Sequence, residues 1–120
     1  MKVVRQALDR LIAAYEEKNG PRFAELVSER YTGETVIFFE TVVRRDFSIY
    51  DNLTLRYTVN NITLDDSGKA FVAITYTRSW TDSKTARDRA ETGETALIFI
   101  REHGTYKLYS QNQPLLFGPN

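Results

Sequence analysis

The chain has 120 residues, no cysteine, one histidine, and 16 basic residues balanced by 16 acidic ones. That length suits one domain with a continuous core. The charge balance leaves no long-range field to bring the chain onto nucleic acid or an anionic membrane surface. The lack of cysteine excludes disulfides, thiolate metal sites and cysteine nucleophiles.

With a single histidine besides, no metal site and no cofactor is expected. No stretch approaches the ~18 apolar residues of a membrane span, so no membrane insertion is expected. Amphipathic helix begins almost at Met1, with no charged and apolar leader before it. Localisation therefore stays unknown at this level, with an extracytoplasmic place expected if an export leader has been removed.

Val4, Ala7, Leu8, Leu11, Ile12 and Tyr15 recur every three or four residues and predict a helix over 2–18. Asn19-Gly20-Pro21 stops it. A second helix is expected over 21–30, with Phe23, Leu26 and Val27 inward and a stop near Gly33. The segment VIFFETVVRR has helical spacing through Val36, Phe39, Val43 and Phe47, which predicts a third helix over 34–46. Its β-branched and aromatic residues make strand the rival assignment.

From residue 53 the period changes to two. Leu55, Tyr57 and Val59 alternate with Thr54, Arg56 and Thr58, giving a strand over 53–65. Past Asn60-Asn61 the apolar parity switches to Ile62 and Leu64, which a β-bulge explains. Asp65-Asp66-Ser67-Gly68 turns the chain into a strand over 70–81, with Ala70, Val72, Ile74, Tyr76 and Trp80 on one side.

The mixed-charge tract TDSKTARDRAE, Thr81 to Glu91, reads as a solvated hairpin extension or as a rim around a binding site. It leads to a strand over 92–102 whose run Ala96 to Ile100 suits a central position covered on both faces. Glu102-His103-Gly104 makes a tight hairpin into a strand over 105–112, and Pro114 takes the chain out of the sheet. Helices followed by strands predict an α+β fold with helices on one face of a curved antiparallel sheet.

Two segments carry a resemblance: LDRLIAAYEEKNGPRFAELVSE, Leu8 to Glu29, and ETALIFIREHGTYKLYSQNQPLLFG, Glu94 to Gly118. They look like the first two helices and the closing hairpin of the nuclear transport factor 2-like superfamily, the cystatin-like cone that also hosts ketosteroid isomerases and polyketide cyclases. With the middle strands the resemblance covers nearly the whole chain and implies a bacterial branch of that superfamily. In the isomerases a first-helix tyrosine points into the cone beside two carboxyl groups. Here Leu11 aligns with that tyrosine, Tyr15 lies one turn further on, and no pair of acids falls on inward strand positions. The resemblance therefore carries over no catalytic residue.

His103 sits in a turn between polar neighbours and reads as solvated. Tyr76, Arg78 and Trp80 share one strand face, and a guanidinium aimed into a cavity holds carboxylate or phosphate. Together with Tyr15 and Tyr57 they form the expected ligand-binding set. The competing reading has Arg78 snorkelling past Trp80 or pairing with Glu94 or Asp88. Arg44-Arg45-Asp46 reads as a solvated charge run.

Tyr106, Tyr109 and Trp80 suggest an aromatic sheet surface through which a homodimer forms. The expected function is a noncatalytic domain that binds a small, apolar or weakly anionic ligand or a protein partner. The alternative is an isomerase- or cyclase-like enzyme acting on a small apolar substrate, with Tyr15 or Tyr57 as donor and Glu40 as base. A third reading fills the cone with side chains and leaves no ligand.

Overall fold

The computed structural model describes residues 2–31 and 38–118, without the Val42 side chain. Helix α1, Lys2–Glu16, buries Val4, Leu8, Leu11, Ile12 and Tyr15 of the stripe its spacing prescribes, with Ala14 buried beside them and Ala7 only half-buried. Asn19 then accepts from the Arg22 N–H at 3.1 Å and caps α2, Gly20–Glu25, whose first turn holds Pro21. That helix ends five residues before the expected 30. Val27 instead bridges Leu108 in parallel. The Ser28 N–H donates to the Leu108 carbonyl at 2.8 Å and the Leu108 N–H to the Leu26 carbonyl at 3.0 Å. Satisfying the open backbone of the last strand outweighs one more helical turn.

Of the third expected helix, residues 34–37 lie outside the described residues. The remainder is helix rather than strand: a π-helical turn, Phe38–Val43, runs into α3, Arg44–Ile49. Phe38 and Val43, five residues apart, are both buried, which is the spacing a π turn serves. Burial of this face overrides the β propensity of its residues.

The sheet is antiparallel in the order β1 (Tyr50–Leu64), β2 (Ala70–Asp82), β3 (Asp88–Glu102), β4 (Thr105–Gln111). The register shifts between Val59 and Asn61, where the parity switch predicts a bulge. The β2–β3 ladder continues to Thr81 opposite Asp88, so most of the polar tract is strand. Its side chains are solvated while its backbone groups satisfy one another. β3 lies between β2 and β4 and buries Leu97, Ile98, Phe99 and Ile100, as a central strand should. His103 (φ 52°) and Gly104 (φ 83°) make the two-residue turn to β4, both in the left-handed region such turns require.

The core lies between α1, the rings of Phe23 and Phe117, and the sheet face carrying Leu55, Val72, Ile74, Tyr76, Leu97, Phe99 and Leu108. Trp80 and Tyr106 pack against that cluster, and the Trp80 ring meets Tyr50 at a tilt of 43° with centroids 4.6 Å apart. Tyr109 lies under Lys69 at 5.1 Å. The three therefore form no shared aromatic surface. After the cis Gln113–Pro114 bond the chain turns back, and Leu116 and Phe117 are fully buried. No described helix is long and apolar enough to cross a membrane.

Candidate functional site

Between β2, α1 and the 116–118 segment a chain of polar side chains runs through the core. Arg78 projects from β2 and is completely buried. Its Nη1 donates to the Tyr15 hydroxyl at 2.8 Å and to the Leu116 carbonyl at 2.5 Å. Its Nε and Nη2 donate to Glu91 Oε1 at 2.8 and 2.5 Å. Glu91 is the residue directly opposite Arg78 on β3. The arginine thus neither snorkels nor pairs with Glu94 or Asp88. Burial disfavours its charge, but the Tyr15 oxygen and the Glu91 carboxylate together outweigh that cost and raise its pKa, so it stays protonated.

The Tyr15 hydroxyl passes the chain on to Asp46 Oδ2 at 2.7 Å. Asp46 Oδ2 also accepts the Gly118 N–H at 2.8 Å. Asp46 is fully buried, so Arg44-Arg45-Asp46 is not a uniformly solvated run. Its Oδ1 has no hydrogen-bond partner among the described residues, with Arg45 Nη1 3.5 Å away. Burial raises the Asp46 pKa, opposed by the Tyr15 and Gly118 hydrogen bonds and the Arg78 charge. Burial likewise raises the Tyr15 phenol well above its ordinary value, so it stays protonated at neutral pH.

Aromatic rings close the network. Phe117 meets Tyr15 edge-on at 4.8 Å and Phe23 at 5.2 Å, and Phe47 lies 5.8 Å from Tyr15. The guanidinium lies 5.5 Å from the Tyr50 ring and 6.0 Å from that of Tyr76. Tyr76 faces Gly93 across the ladder; a Cβ there would stand 2.8 Å from the phenol oxygen, so glycine leaves room for the ring.

Of the expected set, Tyr15, Tyr76 and Arg78 meet at this point, and Trp80 touches it only through Tyr50. Tyr57 stands apart and donates to Asp9 at the surface, next to Arg5. Burial and the Asp9 carboxylate raise its pKa. Glu40 is exposed and paired with Arg44 at 3.3 Å, which removes the base first assigned to an enzymatic reading. His103 is an exposed turn residue; Glu29, Glu102 and His103 bring ligand atoms within 4.8 Å of one another. Glu102 there accepts from Ser28 Oγ at 2.6 Å, the main cause of its lowered pKa.

Reading the sequence by charge class missed Asp46, Glu91 and the 116–118 segment. Position carried a signal for Asp46: it falls three residues after Val43 and one before Phe47, on the buried stripe of α3.

The architecture is shared with solved proteins of low sequence identity. A ketosteroid isomerase-like protein from Erwinia carotovora atroseptica superposes with a TM-score of 0.77 at 11% identity, over 92% of this chain and 91% of its own. A nuclear transport factor 2-like superfamily protein from Salmonella enterica serovar Typhimurium gives 0.78 at 8% identity, over 98% and 89%. The fold is nuclear transport factor 2-like. A type 2 hexachlorocyclohexane dehydrochlorinase shares this nuclear transport factor 2-like frame with a TM-score of 0.74 at 9% identity, over 92% and 81%. No family model matches the sequence. No curated protein matches it either. Neighbours of this fold include both enzymes and proteins without an assigned reaction, so the fold by itself names no activity.

Proposed function

We propose that this chain is a noncatalytic nuclear transport factor 2-like domain that binds a small molecule or a protein partner outside its cone. The observation that carries this reading is the 116–118 segment. The Leu116 carbonyl occupies Arg78, the Gly118 N–H occupies Asp46, and the Phe117 ring fills the space between Tyr15 and Phe23. Groups that in an open cone meet a substrate are here satisfied by the chain's own backbone. A polar network whose buried donors are largely taken by the chain itself serves structure, since those donors have little further to offer. A homodimer through the outer sheet face belongs to the same proposal, supported by Phe71, which is 39% exposed there.

A second reading is favoured by one atom. Asp46 Oδ1 is buried, has no hydrogen-bond partner among the described residues, and belongs to a carboxyl whose pKa burial raises beside a neutral phenol. Such a pair suits proton abstraction next to a carbonyl group once the 116–118 segment moves aside. Proton NMR of an enolisable ketone such as cyclohexanone, incubated with the protein in deuterium oxide, separates the two. No incorporation above the buffer rate is expected. Exchange that the protein accelerates and that Asp46→Asn abolishes would overturn the noncatalytic reading.

A further inference from the structure

A cleft of about 610 Å³ lies against the N-terminal half of α1 and shares no lining residue with the polar network. One wall is the α1 stripe Val3, Gln6, Ala7 and Arg10, the second is α2 through Arg22, Glu25 and Leu26, and the third is the β3–β4 hairpin. This volume is in the range that encloses one small ligand (roughly 300–1,000 Å³).

Its chemistry is two-sided. Val3, Ala7, Leu26 and Tyr106 supply an apolar surface, and Val3 is 56% exposed, the most exposed large apolar side chain described. Around it stand Arg10, Arg22, Arg101 and Lys107 against the single carboxylate of Glu25. Glu25 is already taken by Arg22 at 3.4 Å, and Lys107 stands 4.0 Å from Glu102. Arg10 and Arg101 have no acidic partner among the described residues. A chain whose charges otherwise balance thus gathers cations around one apolar hollow.

We propose that this cleft is a binding site for a small amphipathic organic anion, with the apolar body on Val3, Ala7, Leu26 and Tyr106 and the carboxylate or sulfonate held by Arg10 and Arg101. Two guanidinium groups free of carboxylates offer planar pairs of donors to such a group. The partly enclosed walls lower the screening that an open surface would impose. Neither a neutral hydrocarbon nor a simple inorganic anion uses both halves of the cleft. This rests on the binding-domain reading and gives it a place and a ligand class.

The test uses anilinonaphthalene sulfonate as the anionic probe and N-phenylnaphthylamine as its uncharged counterpart, both followed by fluorescence. Saturable one-site binding of the sulfonate is expected, weakened at least tenfold in Arg10→Gln/Arg101→Gln and weakened by molar salt. Gln6→Trp, which fills the hollow, should also remove it. Both variants change exposed residues, so their melting should match the wild type. Equal binding of the uncharged probe, or binding indifferent to both variants, overturns the site. If native mass spectrometry of Arg10→Gln/Arg101→Gln still shows a retained small molecule, the binding-domain reading stands and only this cleft falls.

Discussion

Asp46 and Arg78 set the behaviour of the interior, and their charges make opposite predictions. Arg78 spends four donor contacts on Glu91, Tyr15 and Leu116. Its loss removes the donor to the Tyr15 oxygen and to the Leu116 carbonyl, takes a countercharge away from buried Asp46, and leaves the partly exposed Glu91 unpaired. Arg78→Ala should therefore cost about 3–5 kcal/mol in urea unfolding, the range for breaking a buried ion pair. A snorkelling arginine would cost almost nothing.

Asp46 carries the reverse sign. Its folded-state pKa is raised above the ordinary 3.8, chiefly by burial. The folded state thus holds its proton more tightly than the unfolded state. The stability this group lends is full below its unfolded pKa and falls as pH rises through the folded value. Asp46→Asn removes that titration while keeping an oxygen for Tyr15 and Gly118. Relative to the variant, the wild type should lose stability as pH rises above about 4, the ordinary aspartate range, read as the difference in urea midpoints. A constant difference would mean that Asp46 does not titrate in that window.

Among the elements, the 113–118 segment is the one whose placement decides the site, and one side chain anchors it. Gln111 Oε1 accepts the N–H groups of Leu116 and Phe117 at 3.0 and 2.9 Å. Its Nε2 donates to the Tyr31 hydroxyl and the Phe117 carbonyl at 3.0 and 3.1 Å. Every donor and acceptor of the amide is used. Gln111→Ala should cost about 2–3 kcal/mol by leaving these groups unsatisfied. It should also raise hydrogen exchange at Leu116, Phe117 and Gly118 well before exchange rises in β2 or β3. Uniform exchange across the chain would show that the segment unfolds only with the whole fold. Nothing in the sequence around Gln111 marks it as an anchor, because its partners are Tyr31, 80 residues away, and the 116–117 backbone, which only the tertiary fold brings beside it.

For the whole molecule, one broad face of the sheet carries no helix among the described residues. Phe71 stands on it amid Ala73, Thr75, Thr77 and Ala96, small side chains that allow a second copy close approach. Native mass spectrometry should show a dimer at micromolar concentration, and Phe71→Glu should convert it to monomer without lowering the melting temperature. A monomeric wild type would remove the dimer from the proposed function while leaving the sealed interior untouched.

What the sequence determined by itself was whatever depends on near neighbours. The switch of period fixed helices before strands, the parity change placed the bulge after Val59, and the His103-Gly104 turn placed the last hairpin. These are properties of a few consecutive residues and their solvent-facing pattern. The tertiary structure alone decided which polar residues lie inside. Tyr15 meets Asp46 across 31 residues of chain, Arg78 meets Leu116 across 38, and Asp46 meets Gly118 across 72. A buried charge is tolerated only where such partners converge, and a hydropathy pattern records the charge without its partners. So Asp46 reads locally as one more surface acid, and the fold makes it the centre of the core's polar network.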